Sequence, residues 1–380
     1  MISKRWSYFL AIGISLGSIM GCSTVQEPAK TTMNETQQEV VSEQTDHNAQ
    51  EDKTTRVITD MANREVEIPA EIDKVYGVNN NATYILYTLV PDKMIGWNGK
   101  LSDAAKKYIL DEYKDLPVLG ILYGGGTKAS YEEIIGYEPD VIVLSDRSAT
   151  ENVIAAADEI QERIQIPVII IENGMESYDE AYALLGSIFN VEERAKELSQ
   201  YYLETYEYAK AHVPKEEDQV RVYYARTEEG LNTDFAGSYH TELLDLIGAK
   251  NVAVGEDENS SAQSGTVSLE QVMGWDPEVI ITGQMGNSES DVYNVITNDD
   301  KWAGIKAVQE NKVYPMPNKP FNWFDRPPSV NRIVGIKYLG HLVYPEIYTE
   351  DPSTDIKAFF SLFYGYDLTD EEVQELIGIQ

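Results

Sequence analysis

From residue 56 onward, short apolar runs rich in Val and Ile alternate with stretches whose apolar residues recur at helical spacing. The segments DVIVLS (140–145), NVIAAADEIQERI (152–164) and IPVIIIE (166–172) illustrate a strand, a helix and a strand in succession. Near-continuous β-branched runs are typical of strands that are buried on both faces, as in parallel sheets. The pattern therefore predicts an α/β fold of mainly parallel sheet with flanking helices.

The ordered part of the chain is predicted to begin with a β-hairpin. The segment TRVITDMANREVEIP (55–69) has two alternating runs around a turn at Ala62–Asn63. The elements predicted between this hairpin and residue 140 are strand DKVYGVN, helix NNATYILYTLV, strand KMIGWN, helix AAKKYILDEYK, strand LPVLG and helix SYEEIIGYE.

A long helical stretch separates this series from a second one. The helical pattern covers 177–213, with a break predicted near Asn190, and its second part runs for 23 residues to Pro214. At about 1.5 Å per residue, that second part would be roughly 35 Å long. The β/α pattern restarts at QVRVYYAR (219–226). We therefore predict an N-terminal lobe at 56–175, a bridging helical segment at 176–213 and a C-terminal lobe at 214–380.

The two series share a repeated unit. SYEEIIGYEPDVIVLS (130–145) corresponds to SLEQVMGWDPEVIITG (268–283), and the two prolines, Pro139 and Pro277, lie 138 residues apart. This spacing is much longer than the roughly 20–50 residues of a solenoid repeat. The repeat instead predicts that two similar lobes carry the same helix–strand unit.

The N-terminus has the features of an export signal. Lys4 and Arg5 precede a 13-residue apolar run, Tyr8–Met20, which is followed by Gly21 and Cys22. The run is shorter than the roughly 20 residues that span a bilayer, so 1–21 is predicted to be a secretory signal peptide. Residues 22–55 lack Phe, Trp and Tyr and are rich in Gln, Glu and Thr, which predicts a disordered tether.

Composition excludes several classes of function. The chain has 64 acidic and 30 basic residues, a formal charge of −34 that disfavours binding to nucleic acid. It has one cysteine and four scattered histidines, so no metal-ligating cluster is predicted. The motifs G-x4-G-K-[ST] and H-E-x-x-H are absent, and G-x-S-x-G occurs only at 13–17, inside the predicted signal peptide, so we expect neither catalysis nor a cofactor.

These features together resemble those of a known family. The hairpin TDMANREVEIP, the two E-x6-P-[DE]-V-I units, the bridging helix and the segment WAGIKAVQENKVYPMP are similar to those of the helical-backbone solute-binding proteins of ABC importers. The resemblance covers 56 to about 345. Ile19-Met20-Gly21-Cys22 also resembles a lipobox, although Met20 is unusual at its place in that motif. That motif implies acylation of Cys22 and an extracytoplasmic protein anchored in the cell membrane.

The resemblance implies two α/β lobes that face each other across a shallow cleft and are joined by one long helix. It also implies that each lobe presents a glutamate to the permease, seven residues before the repeated proline. Those positions are Glu132 and Glu270, with Glu133 as a substitute in the first lobe. A simpler reading is that both are acids in the first turn of a helix, following the caps Ser130 and Ser268. An exposed acid on a capped helix can serve both purposes.

The loops after the predicted strands supply the candidate ligand-binding residues. Aromatic rings and a few guanidinium groups suit a bulky anionic chelate. His240 and Tyr239 are additional candidates for direct metal coordination, and a capping role for His240 is the alternative. The candidate set is Asn79, Asn80, Trp97, Tyr123, Arg147, Arg226, Tyr239, His240, Trp323 and Arg326.

The resemblance implies several ligand classes. A ferric siderophore or similar iron chelate is the first expectation, and haem, a corrinoid, molybdate and tungstate are the alternatives. The expected partners are an ABC permease with its ATPase, contacted by a monomer. A surface lipoprotein that binds a protein partner is an alternative from another class.

Overall fold

The computed structural model describes residues 54–227, 229–255, 263–283 and 291–378. The predicted signal peptide, Cys22 and nearly all of the predicted tether lie outside the described residues. The first strand begins at Thr55, one residue before the predicted start of the N-terminal lobe. Among the helices of the described part, none is both long enough and apolar enough to cross a membrane.

Three sheets lie within the described residues. Their strands are β1 (Thr55–Thr59), β2 (Glu65–Pro69), β3 (Val75–Gly77), β4 (Val141–Asp146), β5 (Val168–Glu172), β6 (Arg221–Arg226), β7 (Asn232–Asp234), β8 (Lys250–Asn251), β9 (Ser264–Thr266), β10 (Val279–Gly283) and β11 (Val313–Pro315). The first sheet is the antiparallel hairpin β1–β2, and the second is the parallel sheet β3-β4-β5. The third has the order β11-β10-β6-β7-β9, and β8 also pairs with β6.

The helices of the described chain surround these sheets. They are α1 (Asn80–Leu89), α2 (Asp103–Lys106), α3 (Tyr131–Gly136), α4 (Glu151–Ile164), α5 (Tyr178–Phe189), α6 (Glu192–Ala211), α7 (Glu242–Leu246), α8 (Leu269–Trp275), α9 (Val292–Asn298), α10 (Lys306–Gln309), α11 (Arg332–Val343), α12 (Pro352–Tyr364) and α13 (Asp370–Ile377). The fold is therefore the predicted α/β arrangement, with parallel pairing of β3, β4 and β5 in one lobe and of β11, β10 and β6 in the other.

The bridging segment forms as predicted, in two helices. Asn190 ends α5 in the left-handed conformation, with φ of 58°, and its backbone N–H bonds to Gly186. Asn tolerates this conformation better than most residues, which explains the break. Helix α6 then runs for 20 residues, about 30 Å, and ends at Ala211, slightly before the predicted end.

Two predicted strands and one predicted helix of the N-terminal lobe are wrong. KMIGWN and LPVLG contribute only isolated bridges, Val75 to Met94 and Trp97 to Val118. The helix predicted at 104–114 reduces to α2 and a short 3₁₀ turn. One reason is that the Leu110 N–H donates to the Tyr87 hydroxyl at 3.0 Å instead of to a helical carbonyl.

Both parallel sheets turn one face toward a shared core. In β4, Val141 and Val143 join this central core, whereas Ile142 and Leu144 face a separate outer cluster. Strands β6 and β10 alternate in the same way between the central core and a third cluster. Because side chains alternate with a period of two, each strand packs against two layers at once. The central core also contains side chains of α1, α5, α6, α11 and α12.

The C-terminal helices contact the N-terminal lobe. Tyr108 packs against Phe360 of α12 with ring centroids 5.5 Å apart. Lys107 Nζ lies 2.6 Å from Glu375 Oε2 of α13. The prediction placed all of 214–380 in the C-terminal lobe, but this last part of the chain also packs across to the first. Residues of both lobes therefore form one compact unit.

We predict that Gly335→Ala destabilises the protein. A methyl group at Gly335, within α11, would collide with the backbone carbonyl oxygen of Trp323. Gly→Ala in a helix ordinarily stabilises by roughly 0.5–1 kcal/mol, but overpacking here should lower the free energy of unfolding by about 1–3 kcal/mol. Urea unfolding measures the change. The control is Gly274→Ala in α8, where the added methyl group meets no atom within 4 Å. Equal stability of the two variants would contradict this packing.

Candidate ligand-binding site

A pocket of about 520 Å³ opens between the N-terminal lobe and the segment that follows β11. The first lobe contributes the start of α1 and the loop around 97–105, and the other wall comes from 318–327. The polar and charged lining residues are Asn80, Asn98, Lys100, Ser102, Asn318, Lys319, Asn322 and Arg326, and the aromatic ones are Tyr84, Trp97 and Phe321.

The charge of this lining is opposite to that of the whole chain. Lys100, Lys319 and Arg326 line the pocket, and no Asp or Glu is among its described lining residues. Within the described chain, Lys100 and Lys319 make no ion pair, whereas Arg326 is paired with Asp234. The pKa of Glu375 is lowered mainly by its hydrogen bond with Lys107 and further by the charge of Lys319, so the charge of Lys319 is partly offset. Both lysines are still candidates for contact with an anionic ligand.

Asn79 positions one edge of the pocket without lining it. Its side-chain oxygen accepts the Ala82 N–H at 3.1 Å, which caps α1, and its amide donates to the Ser145 carbonyl at 2.7 Å. These two bonds tie the start of α1 to the end of β4. Because an N-cap side chain is used up in this way, the prediction of Asn79 as a ligand-binding residue is not supported, and its neighbour Asn80 lines the pocket instead.

An aromatic wall closes one side of the pocket. The rings of Tyr84 and Phe321 stack with centroids 3.6 Å apart and planes 18° from parallel. The ring centroids of Trp97 and Phe321 lie 6.1 Å apart, and the indole N–H of Trp97 donates to the Tyr113 carbonyl at 2.8 Å. The predicted residue Trp97 therefore reaches the pocket, although only 2% of its surface is exposed.

Arg326 connects the pocket to a buried ion-pair network. Its guanidinium bonds to Asp234, with Nε 3.2 Å from Oδ2. Arg226 Nε also lies 3.0 Å from Asp234 Oδ2, and the Asp234 side chain is completely buried. One carboxylate thus holds two arginines, and the backbone of Arg326 takes a φ of 66° to reach it. A positive φ is unfavourable for such a residue, so its surroundings must impose this conformation.

The pKa values of Arg226 and Arg326 shift in opposite directions. Burial lowers the pKa of Arg226, although Asp234 opposes that shift. Burial also disfavours the charged form of Arg326, but its hydrogen bond and charge interaction with Asp234 outweigh that effect and raise its pKa. Asp234 therefore interacts with both Arg226 and Arg326, two of the predicted ligand-binding residues. Only Arg326 also lines the pocket.

A separate ionic contact joins the two lobes. Arg147, which follows β4 of the N-terminal lobe, donates to Glu242 Oε1 at 3.2 Å. Glu242 begins α7 of the other lobe, and its second oxygen accepts from Arg332 at 2.5 Å. The predicted residue Arg147 thus joins the two lobes directly in this structure.

The remaining predicted polar residues lie beside this network. The ring of Tyr239 lies 3.9 Å from that of His240, and His240 Nδ1 bonds to the buried carboxylate of Asp325. Tyr123 lies near Asp146, and its pKa is raised by burial and by that carboxylate. None of Tyr123, Tyr239 and His240 lines the 520 Å³ pocket. No group of three or more potential metal-ligating His, Cys, Asp or Glu residues occurs in the described chain.

Trp323 is a core residue rather than a site residue. It has no exposed surface, and its indole N–H donates to the Lys319 carbonyl at 2.9 Å. Its ring packs against Tyr338 of α11 and Phe360 of α12. The prediction of a ligand contact for Trp323 is therefore not supported. Its role is to hold the backbone at Lys319.

Glu132 and Glu270 lie on exposed first turns, as predicted. Ser130 caps α3 through the Glu133 N–H, and Ser268 caps α8 in a capping box with Gln271. The Ser130 hydroxyl also donates to Glu132 at 2.9 Å. The pKa of Glu132 is lowered, first by a hydrogen bond from its own backbone N–H and then by Ser130.

Sequence reasoning missed Lys100, Lys319, Asp234 and Glu242. Lys319 lies immediately before the segment PFNWFDRPPSVNR (320–332), which holds the predicted residues Trp323 and Arg326, so its place in a polar loop was a usable signal. Asp234 lies in the three-residue strand β7, whose antiparallel pairing sets Asn232 opposite Arg226. No feature of the local sequence marks Asp234 as the partner of two arginines.

Comparisons with known proteins give a consistent result. The family described as "Periplasmic binding protein" matches residues 78–320. The chain is 24% identical over 341 residues to the molybdate-binding protein MolA of Haemophilus influenzae, which covers 81% of this chain and 91% of that protein. It is 22% identical over 194 residues to the Fe(3+)-citrate-binding protein YfmC of Bacillus subtilis, which covers 50% of this chain and 58% of that protein.

A solved structure agrees with the family match. The fold is similar to an ABC transporter solute binding protein from Sulfurospirillum deleyianum, with a TM-score of 0.74 and 31% sequence identity. The similarity covers 85% of this chain and 99% of that one.

We predict that Asp234→Ala is strongly destabilising, because it leaves the buried Arg226 and the half-buried Arg326 without their shared carboxylate. Removing one partner of a buried ion pair costs about 3–5 kcal/mol. The matched control is Asp115→Ala, which removes an exposed partner of Lys106 and should lower stability far less. Denaturant unfolding of both variants measures the difference. Losses of equal size would show that Asp234 does not organise this network.

Proposed function

The chain belongs to the periplasmic binding protein family, and from this premise we propose that it captures an anionic metal chelate, with a ferric siderophore or ferric carboxylate as the leading class. It is a solute-binding protein of an ABC importer and works outside the cytoplasm. The chelate would then be delivered to the membrane permease.

The observation that carries this proposal is the basic lining of the pocket. In a chain with a formal charge of −34, the described lining holds three basic side chains and no acidic one. A cleft lined by one sign of charge concentrates oppositely charged solutes near it. Lys100 and Lys319 can each donate charge-assisted hydrogen bonds to ligand oxygens, because neither is used in an ion pair within the described chain.

Pocket size favours a chelate over a small ion. Sites for organic ligands typically measure about 300–1,000 Å³, and this one measures about 520 Å³. A water molecule takes up about 30 Å³ in the liquid, so an anion of five atoms would leave most of the pocket to solvent. Flat groups of a chelator would also find the stacked rings of Tyr84 and Phe321 on one wall.

Molybdate or tungstate is the second candidate. The relative named for molybdate binding matches this chain over 91% of its own length, whereas the relative named for ferric citrate matches over 58%. The start of α1 also borders the pocket at Asn80, and helix N-termini favour anions. An oxyanion would occupy only this end of the pocket.

Delivery and anchoring complete the proposal. The exposed carboxylates of Glu132 and Glu270 would each pair with a basic group of the permease. The proposed anchor is a lipid on Cys22, supported by the sequence Ile19-Met20-Gly21-Cys22. Two acyl chains at this residue would provide stable attachment to the membrane.

We predict that Lys319→Ala weakens binding of ferric citrate or a ferric siderophore by about 1.5–3 kcal/mol, the contribution of a hydrogen bond to a charged group. Lys319 tests the site better than Arg326, because removing Arg326 also breaks its pair with Asp234. Lys301→Ala is the control, since 77% of that side chain is exposed and it lies outside the pocket.

Calorimetry with ferric citrate, a ferric siderophore panel and molybdate gives the affinities. Unchanged affinity of Lys319→Ala for the tightest ligand would contradict the site. Tight binding of molybdate alone would establish the second candidate instead.

We predict that the double change Glu132→Ala/Glu270→Ala leaves folding and ligand affinity nearly intact but lowers uptake. Acids in an exposed first turn contribute only about 0.3–1 kcal/mol to helix stability, while each lobe would lose its charge partner on the permease. Uptake of the cognate ligand by cells, at matched surface levels of the two proteins, is the measurement. Wild-type uptake would show that both residues serve only to start their helices.

A further inference from the structure

The repeated unit exposes an apolar side chain at the same position in both lobes. Ile135 of α3 is 44% exposed, and its counterpart Met273 of α8 is 41% exposed. The residues before them, Ile134 and Val272, are fully buried and provide the packing of each helix. The exposed pair is therefore not needed to form either core.

Each exposed apolar residue lies beside one of the two glutamates. Ile135 follows Glu132 by three residues, and Met273 follows Glu270 by three residues. Residues three apart on a helix are neighbours on the same face. Both lobes thus present a carboxylate and an apolar side chain side by side. The next residues, Gly136 and Gly274, leave the surface open, since a methyl group at either would meet no atom within 4 Å.

Within the described residues, the Glu132 carboxylate accepts a hydrogen bond from the Ser130 hydroxyl at 2.9 Å, but no basic side chain pairs with either glutamate. Neither Glu132 nor Glu270 forms an ion pair with another described residue. The guanidinium of Arg163 comes near Glu132 but stacks over the Tyr131 ring at 4.0 Å and pairs with Glu159 at 3.4 Å. Both carboxylates are therefore without a salt bridge in the described residues and are able to pair with a basic group of another molecule.

Single exposed apolar residues are common on protein surfaces. The combination of a carboxylate that has no ion pair in the described residues with an exposed apolar neighbour is more specific, because it occurs at equivalent places in both lobes. Each lobe therefore carries a similar surface patch, made of one carboxylate and one apolar side chain. A partner that fits both must offer two similar surfaces, each with a basic group next to an apolar hollow.

We propose that Ile135 and Met273 are the apolar contacts of two equivalent docking patches, defined as Glu132 with Ile135 and Glu270 with Met273, which bind two like surfaces of the importer's permease. The inference rests on the proposed function in taking the permease as the partner. It adds that docking depends on apolar burial as well as charge. Part of the affinity should therefore persist at salt concentrations that screen the glutamates.

The test uses the full-length protein and its cognate permease–ATPase complex in lipid nanodiscs. Binding is measured by surface plasmon resonance at about 0.1 M and about 1 M salt. The variants are Ile135→Gln, Met273→Gln and their combination, because Gln is polar, about as favourable in a helix as Met and more favourable than Ile. The controls are Val295→Gln in α9, 36% exposed, and Val57→Gln in β1, 64% exposed.

We expect each single variant to weaken permease binding at least about tenfold, as loss of a buried apolar side chain predicts. The combined variant should abolish the binding that remains at 1 M salt, and both controls should bind like the wild type. Calorimetric affinity for the ligand and thermal unfolding should be unchanged in all variants.

Wild-type permease binding by Ile135→Gln/Met273→Gln would overturn the inference. If Glu132→Ala/Glu270→Ala weakens binding in the same assay, docking by charge stands and only the apolar contribution fails. If neither double variant changes binding, both the inference and the proposed docking role of the repeated unit fail. In either case the ligand affinity measured by calorimetry reports separately on capture of the solute.

Discussion

Alternate residues of β4, β5, β6 and β10 point into one central core, which both sheets share. Because a one-residue shift would exchange the two faces of a strand, burial on both faces fixes the register of each sheet. The helices α5, α6, α11 and α12 fill the space between the sheets. The distance between the two walls of the cleft is therefore set by a packed apolar layer and not by contacts within the cleft itself. Such a layer resists deformation, so we expect only small hinge movements on ligand binding.

The positions of the charged residues in the cleft depend on this packed core. Inside the C-terminal lobe, Arg226 and Arg326 are held by a single buried carboxylate, and across the cleft Arg147 shares Glu242 with Arg332. These arginines are therefore structural elements of the cleft before they are ligand contacts. Lys100 and Lys319 are different, since both line the pocket and neither forms an ion pair within the described residues. In a strongly acidic protein, this group of basic lining residues is the feature on which the proposal of an anionic ligand rests.

The sequence predicted what depends on local pattern. The hairpin, the β-branched strands, the break at Asn190 and the caps Ser130 and Ser268 were all identified, because each is determined by residues within a few positions. It predicted Asn80, Trp97 and Arg326 of the pocket lining but not Lys100 and Lys319, which come together only after the segment following β11 packs against the first lobe. Trp323 was misassigned because an aromatic residue in a loop carries no signal of its burial. Arg226 and Arg326 were identified as residues, but their engagement by Asp234 depends on a short antiparallel strand with no recognisable pattern.

The central claim is that an anionic metal chelate binds in the pocket between the loop at 97–105 and the segment 318–327. Diffraction at the iron absorption edge, from crystals grown with ferric citrate or a ferric siderophore, locates the metal directly. We expect one iron position inside the pocket, with chelator oxygens within hydrogen-bonding distance of Lys319. Iron bound elsewhere in the cleft, or an empty pocket in crystals that bind molybdate instead, would contradict it.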